Sequence, residues 1–177
     1  AGTTAQGATL LGPGRICHGG RGETHIGRLS GEADAFCQEV ATILSRAGLP
    51  TVVEPYVRSL IWGKLIINTG INALTALLRL RNGQLAEMVE TRQVLALAVE
   101  EAVLVAEAAG VSLPYENPVE KVLAVALATG QNQSSMLQDV LRGSLTEIAV
   151  INGAIVREGE RLGVATPVNR ALTLLVQ

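Results

Sequence analysis

The feature that most constrains this chain is a change of texture near Ser30. Before it, glycine stands at positions 2, 7, 12, 14, 19, 20, 22 and 27, with short β-prone runs between (Ala8 to Leu11, Arg15 to His18, Thr24 to Gly27). Pro13-Gly14 and Gly19-Gly20-Arg21-Gly22 are turn signals, so this stretch predicts two or three short, hairpin-like strands. Strands so few cannot bury a core alone and must pair with something or lie on helices. After Ser30 the apolar spacing becomes helical. Ser30 is the expected N-cap of a first helix, with Glu32 in its first turn and Gly48 as its stop. Thr51 to Val53 reads as a short extended piece. Longer helices are expected over Tyr56 to Leu78 and Thr91 to Ala109, and from the Asn117-Pro118 cap through Ala128. Three more should span Ser134 to Leu141, Thr146 to Leu162 and Asn169 to Val176. The expected fold is mainly α: strands over 1–29, then an all-helical domain over 30–177.

The side chains available to fill that domain are small. Aromatic residues are 2% of the chain (Phe36, Tyr56, Trp62, Tyr115), so the core must come from Ala, Val, Leu and Ile. Close helix packing suits such a composition, and stacking platforms for bases do not. At 48% hydrophobic and 17% charged the chain is not disordered. A net charge of −2, with no run of four like charges, excludes a surface built on phosphate neutralisation, so no nucleic-acid partner is expected. The most apolar stretch, Leu60 to Leu78, is interrupted by Lys64, Asn68 and Asn72, so no membrane span is expected either. The N-terminus lacks a basic region followed by an apolar core, and Cys17 and Cys37 are too few for a disulfide scaffold. Both points fit a reducing cytoplasm. The sequence opens at Ala1, within what reads as strand, and a piece of a longer protein is expected.

Two constellations carry chemistry. Lys64, Asn68 and Asn72 stand at i, i+4 and i+8, with Thr75 three further, on one side of a helix otherwise built of Leu, Ile and Ala. Lysine occurs only at 64 and 121. One reading of the stripe is a solvated face of a buried helix. The other is a polar seam lining a cleft, where an ammonium and two amides converge on a small anionic or carbonyl-bearing ligand. The second constellation places Ser134, Ser135 and Asp139 at the start of a short helix, with Glu147 just inside the next. Taken singly, Ser134 reads as a cap and Glu147 as a first-turn acid favoured by the helix dipole.

Together these segments resemble the ketopantoate reductase (2-dehydropantoate 2-reductase) family. The resemblance is carried by Gly7 to His18 with Gly22 to Gly27, by Trp62-Gly-Lys64 through Asn68, Asn72 and Thr75, by Ser134 to Asp139 with Thr146-Glu147-Ile through Asn152-Gly153, and by Gly163 to Asn169. It covers essentially the whole chain. It implies a C-terminal helical domain similar to that of 6-phosphogluconate dehydrogenase, preceded by the β remnant of a Rossmann cofactor domain. It further implies reduction of 2-dehydropantoate to (R)-pantoate with NADPH, in pantothenate and coenzyme A biosynthesis. By position, Lys64 matches the general acid and Glu147 the acid that hydrogen-bonds the same keto oxygen. Asn68, Asn72 and Ser135 match the groups holding the substrate's hydroxyl and carboxylate, and Asn82 and Asn132 match secondary positions. The resemblance gives Glu147 a further role near the cofactor and assigns no metal.

The departures are informative. No G-x-G-x-x-G occurs, and no βαβ unit is apparent to carry one, so the chain is expected to lack most of the cofactor domain and to be catalytically silent alone. Ala149 stands where Asp usually completes the Thr-Glu-Ile-Asp stretch, and Ser144 where Arg is frequent. Two alternatives stay open: a paralogue reducing another 2-keto acid, and a non-catalytic helical dimerisation module. A second copy of the chain is one expected cover for the open strand edges.

Overall fold

In the computed structural model, which describes residues 1–31 and 34–177, the glycine-rich stretch forms β1 (Gly2–Thr4), β2 (Gly7–Gly12), β3 (Arg15–Gly20) and β4 (Thr24–Ile26). β2 and β3 make the expected antiparallel hairpin across Pro13-Gly14. β4 does not extend it. Instead β4 lies between β1, antiparallel, and β5 (Thr51–Val53), parallel, in a three-stranded sheet. A parallel pair cannot be joined by a tight turn, and α1 (Ala35–Arg46) supplies the crossover, packing back on β5. The chain therefore contains one βαβ unit, β4–α1–β5, where the sequence reading finds none. Three-residue strands are too short to show a period of two, so nothing in the sequence announced the pairing. Gly27 is where the chain leaves β4, and a Cβ there would sit 2.2 Å from the Glu54 carbonyl oxygen.

The start of α1 also differs from expectation. Asp34, not Ser30, is the N-cap: Oδ1 accepts from the Cys37 N–H at 2.9 Å and Oδ2 accepts from Arg28 Nε at 2.8 Å. A carboxylate satisfies the helix amide and the guanidinium together, which a serine hydroxyl cannot. Ser30 lies in the preceding turn, and Glu32 falls outside the described residues.

Compactness divides the chain into Ala1–Ile61 and Trp62–Gln177. Pairing with β4 draws β5, and α1 with it, into the unit of strands. Each regular element described beyond that point is helical: the rest of α2 (Val57–Leu78), then α3 (Gln84–Glu87), α4 (Val89–Ala108), α5 (Pro118–Ala128), α6 (Ser135–Arg142), α7 (Asn152–Leu162) and α8 (Pro167–Val176). Its core is aliphatic, with Ile66, Leu95, Val99, Val122 and Ile155 wholly buried. α2 is long and apolar enough to cross a bilayer by length and composition, yet 56% of its most apolar window is buried inside the protein.

Two expected helices are adjusted. The run from 146 to 162 is broken into a 3-10 turn, Ile148–Val150, and α7, with Ile151 at φ −105° and ψ −94° between them. The break coincides with the inward turn of Asn152, which is wholly buried. α8 starts at Pro167 and not at Asn169, with proline in the first turn, where a missing N–H is no loss.

Candidate active site

The α2 stripe runs from solvent into the interior. Lys64 is exposed, Asn68 half-buried, Asn72 only 5% exposed and Thr75 wholly buried. A merely solvated face would stay wet along its length, and this one does not. At the inner end, Thr75 Oγ1 lies 2.8 Å from the Ile71 carbonyl oxygen and 2.7 Å from Ser134 Oγ. Ser134 Oγ in turn accepts from the Leu137 N–H at 3.0 Å, as the N-cap of α6. The Thr75 hydroxyl is the donor, shared between Ser134 Oγ and the carbonyl oxygens of Ile71 and, at 3.0 Å, Asn72. This contact fixes the N-terminus of α6 to the buried end of the stripe. Ser135, the next residue, is exposed.

A second grouping joins the turn after α2 to the loop before α6. The Asn82 N–H donates to the Asn132 carbonyl at 3.1 Å, and the Gly83 N–H donates to that of Gly130 at 3.2 Å. Asn82 Nδ2 donates to Thr129 Oγ1 at 2.9 Å, while its Oδ1 is buried with no hydrogen-bond partner. Asn132 is exposed. Glu147 is exposed on the bend before the 3-10 turn, and its carbonyl accepts from Val150 at 3.0 Å and Ile151 at 3.1 Å. It is therefore not the first-turn acid of a long helix that the sequence suggests. What ties its segment to α2 is Asn152, whose Nδ2 donates to the Thr69 carbonyl at 3.2 Å, one residue beyond Asn68.

Asn152 belongs to a buried polar network that sequence reasoning missed. Its Nδ2 also donates to Asn169 Oδ1 at 3.0 Å, and Asn169 Nδ2 donates to the Ala98 carbonyl at 2.9 Å and to Glu101 Oε2 at 2.8 Å. The Glu101 carboxylate accepts from the Val168 N–H at 2.8 Å and the Asn169 N–H at 2.9 Å. Thr166 gives α8 no side-chain cap, so a glutamate reaching from α4 does that work. Free amides and the positive end of the helix dipole favour a carboxylate there. The signal was available in hindsight of spacing: Glu101 lies three residues after Ala98 and four before Val105, on the buried face of α4. A second missed residue is Tyr115, whose hydroxyl donates to the Gly63 carbonyl at 2.9 Å. Burial pushes its phenol up to about 12.

These helices match a known family. The description "Ketopantoate reductase PanE/ApbA C terminal" applies to residues 56–177. The chain belongs to the ketopantoate reductase family. The 2-dehydropantoate 2-reductase of Halobacterium salinarum is 43% identical over 176 residues, covering 99% of this chain and 58% of the relative. That of Archaeoglobus fulgidus is 35% identical, covering 99% and 59%. Among solved structures, a PanE/ApbA family ketopantoate reductase from Ralstonia eutropha superposes with a TM-score of 0.90 at 35% identity, covering 99% of this chain and 57% of that one. The complex of D-mandelate dehydrogenase with NADH superposes with a TM-score of 0.88 at 31% identity, covering 99% and 60%. The chain thus spans 58% to 59% of the length of these two curated relatives.

A nicotinamide cofactor is bound in one of these relatives. Among the described residues, this chain's glycines do not stand in the arrangement that cradles a dinucleotide. Gly19 and Gly20 end β3 and do not open a helix, and the β4–α1 connection has Gly27 and Gly31 but no G-x-G-x-x-G.

Proposed function

We propose that this chain is the substrate-binding part of an NADPH-dependent reductase converting 2-dehydropantoate to (R)-pantoate, a cytoplasmic step of pantothenate biosynthesis. The observation that supports it best is the inward-running stripe of Lys64, Asn68 and Asn72 tied through Thr75 and Ser134 to the start of α6. Within that reading, the remainder of the longer protein holds the dinucleotide, and these residues bind, orient and protonate the keto acid. Negative charge grows on the C2 oxygen during reduction, and the Lys64 ammonium stabilises it and delivers the proton. Glu147 hydrogen-bonds near the same oxygen. Asn68, Asn72 and Ser135 hold the hydroxyl and carboxylate, with Asn82 and Asn132 in supporting positions. Lys64 stands at the exposed end of the stripe, where a ligand entering from solvent would meet it first.

The full-length protein carrying this segment should oxidise NADPH in the presence of 2-dehydropantoate, whereas residues 1–177 alone should not. Lys64→Ala should lower kcat by two or more orders of magnitude, in the range general acid catalysis supplies, with the far-ultraviolet spectrum unchanged. Turnover within threefold of wild type would remove Lys64 from the mechanism. The 31% identity to D-mandelate dehydrogenase, with Ala149 and Ser144 both exposed, supports a second reading in which another 2-keto acid is reduced. Comparing kcat/KM for 2-dehydropantoate and branched or aryl 2-keto acids, with NADPH and with NADH, separates the two.

A further inference from the structure

The lysine of the stripe is held from outside its own helix. Gly63 precedes it, and the loop between α4 and α5 presses directly on that position. A Cβ on Gly63 would lie 2.8 Å from Pro114 Cγ, 3.0 Å from Pro114 Cδ and 3.3 Å from Tyr115 Cε1, so the close approach exists only because residue 63 has no side chain. The Tyr115 hydroxyl then donates to the Gly63 carbonyl at 2.9 Å. That carbonyl belongs to the peptide group whose N–H is Lys64's own, so the bond acts on the peptide that sets the direction of the Lys64 side chain. Gly63 is also the second residue of the helical unit, which begins at Trp62.

We propose that Tyr115 is a positioning residue for Lys64, acting with Pro114 through the Gly63 peptide. The proposal rests on the catalytic reading of Lys64 given above. It assigns Tyr115 no proton transfer. Burial keeps the phenol protonated to about pH 12, so the hydroxyl is a constant donor over the whole working range. A carbonyl that already closes a helical turn can accept this second bond through its other lone pair, so the clamp adds order without breaking the helix. Misplacing a proton donor by about 1 Å can cost up to a hundredfold in rate, which gives the clamp a catalytic consequence though it touches no substrate.

Two variants and two readouts test this. Tyr115→Phe keeps the ring and removes the donor; Gly63→Ala keeps the donor and inserts a methyl beneath the loop. Because Lys64 and Lys121 are the chain's two lysines, [15N]lysine labelling of the 177-residue chain gives two backbone amide signals. The Lys64 signal should shift and exchange its proton faster in both variants, with the Lys121 signal fixed. In the full-length reductase, Tyr115→Phe should lower kcat by about tenfold, the worth of one lost hydrogen bond, and leave KM for the keto acid within twofold. Gly63→Ala should lower kcat by up to about a hundredfold with KM again little changed. An unmoved Lys64 amide in Tyr115→Phe overturns the clamp. So does a moved amide with unaltered kcat, or a loss confined to KM or to thermal stability. If wild-type full-length protein reduces no 2-keto acid, the functional reading fails, and the amide signals still decide whether Tyr115 orders Lys64.

Discussion

Arg79 occupies a backbone conformation that favours glycine. It follows the last residue of α2 with φ +54°, and the Leu80 N–H donates back to the Thr75 carbonyl at 3.2 Å, closing the helix in a left-handed C-terminal turn. Arg79→Gly should therefore stabilise the helical unit by up to about 1 kcal/mol, the cost of a left-handed side chain, read as a rise in Tm of about 2–4 °C. Asp34 makes a pH-dependent contribution of the opposite kind. The Cys37 N–H first, and the Arg28 guanidinium next, hold its carboxyl down at about 2 against an ordinary 3.8. A depressed carboxyl stabilises the fold above its unfolded pKa and loses that contribution as pH falls through the folded one. The α1 cap should thus weaken between about pH 4 and pH 2, followed by the chemical shift of the Cys37 amide. Asp34→Asn keeps an amide acceptor for the cap and should flatten that titration.

At the scale of elements, α2 is held by what it lacks as much as by what it carries. A Cβ on Gly70 would meet Val99 Cγ2 and Val122 Cγ1, each at 2.8 Å. Gly70→Ala should cost about 1–3 kcal/mol through overpacking, measured by denaturant midpoint at constant m. Glu101→Ala should cost about 3 kcal/mol, because the Val168 and Asn169 amides lose a charged acceptor inside the core, and Glu101→Gln should recover part of it. The helices were legible beforehand because their apolar positions recur at helical spacing, and α5 begins and ends where its Asn117-Pro118 cap and apolar run say it should. The stripe was legible for the same reason, since 64, 68 and 72 share a face by arithmetic alone. The break at Ile151 was not, because it answers to Asn152's partners on α2 and α8, which are distant in sequence. Asp34 was overlooked as a cap because Ser30 fits the local rule equally well, and only Arg28's reach distinguishes them.

For the whole molecule, order should be unequal. The β2–β3 hairpin leaves Leu10, Leu11 and Ile16 about 60–70% exposed, and two strands alone are marginal in water, so its amides should exchange far faster than those of α4. Hydrogen-exchange mass spectrometry checks this. Equal protection would mean that something covers the hairpin, and light scattering would show whether that cover is a second copy of the chain. The helical unit has a different vulnerability. The partners described for Glu101 (the Val168 and Asn169 amides and Asn169 Nδ2) all come from α8. A chain that has not yet emerged past residue 166 during synthesis, or that a protease has trimmed to that point, carries an acid facing the interior without the donors described for it. α8 therefore acts as a lock on the helices that precede it.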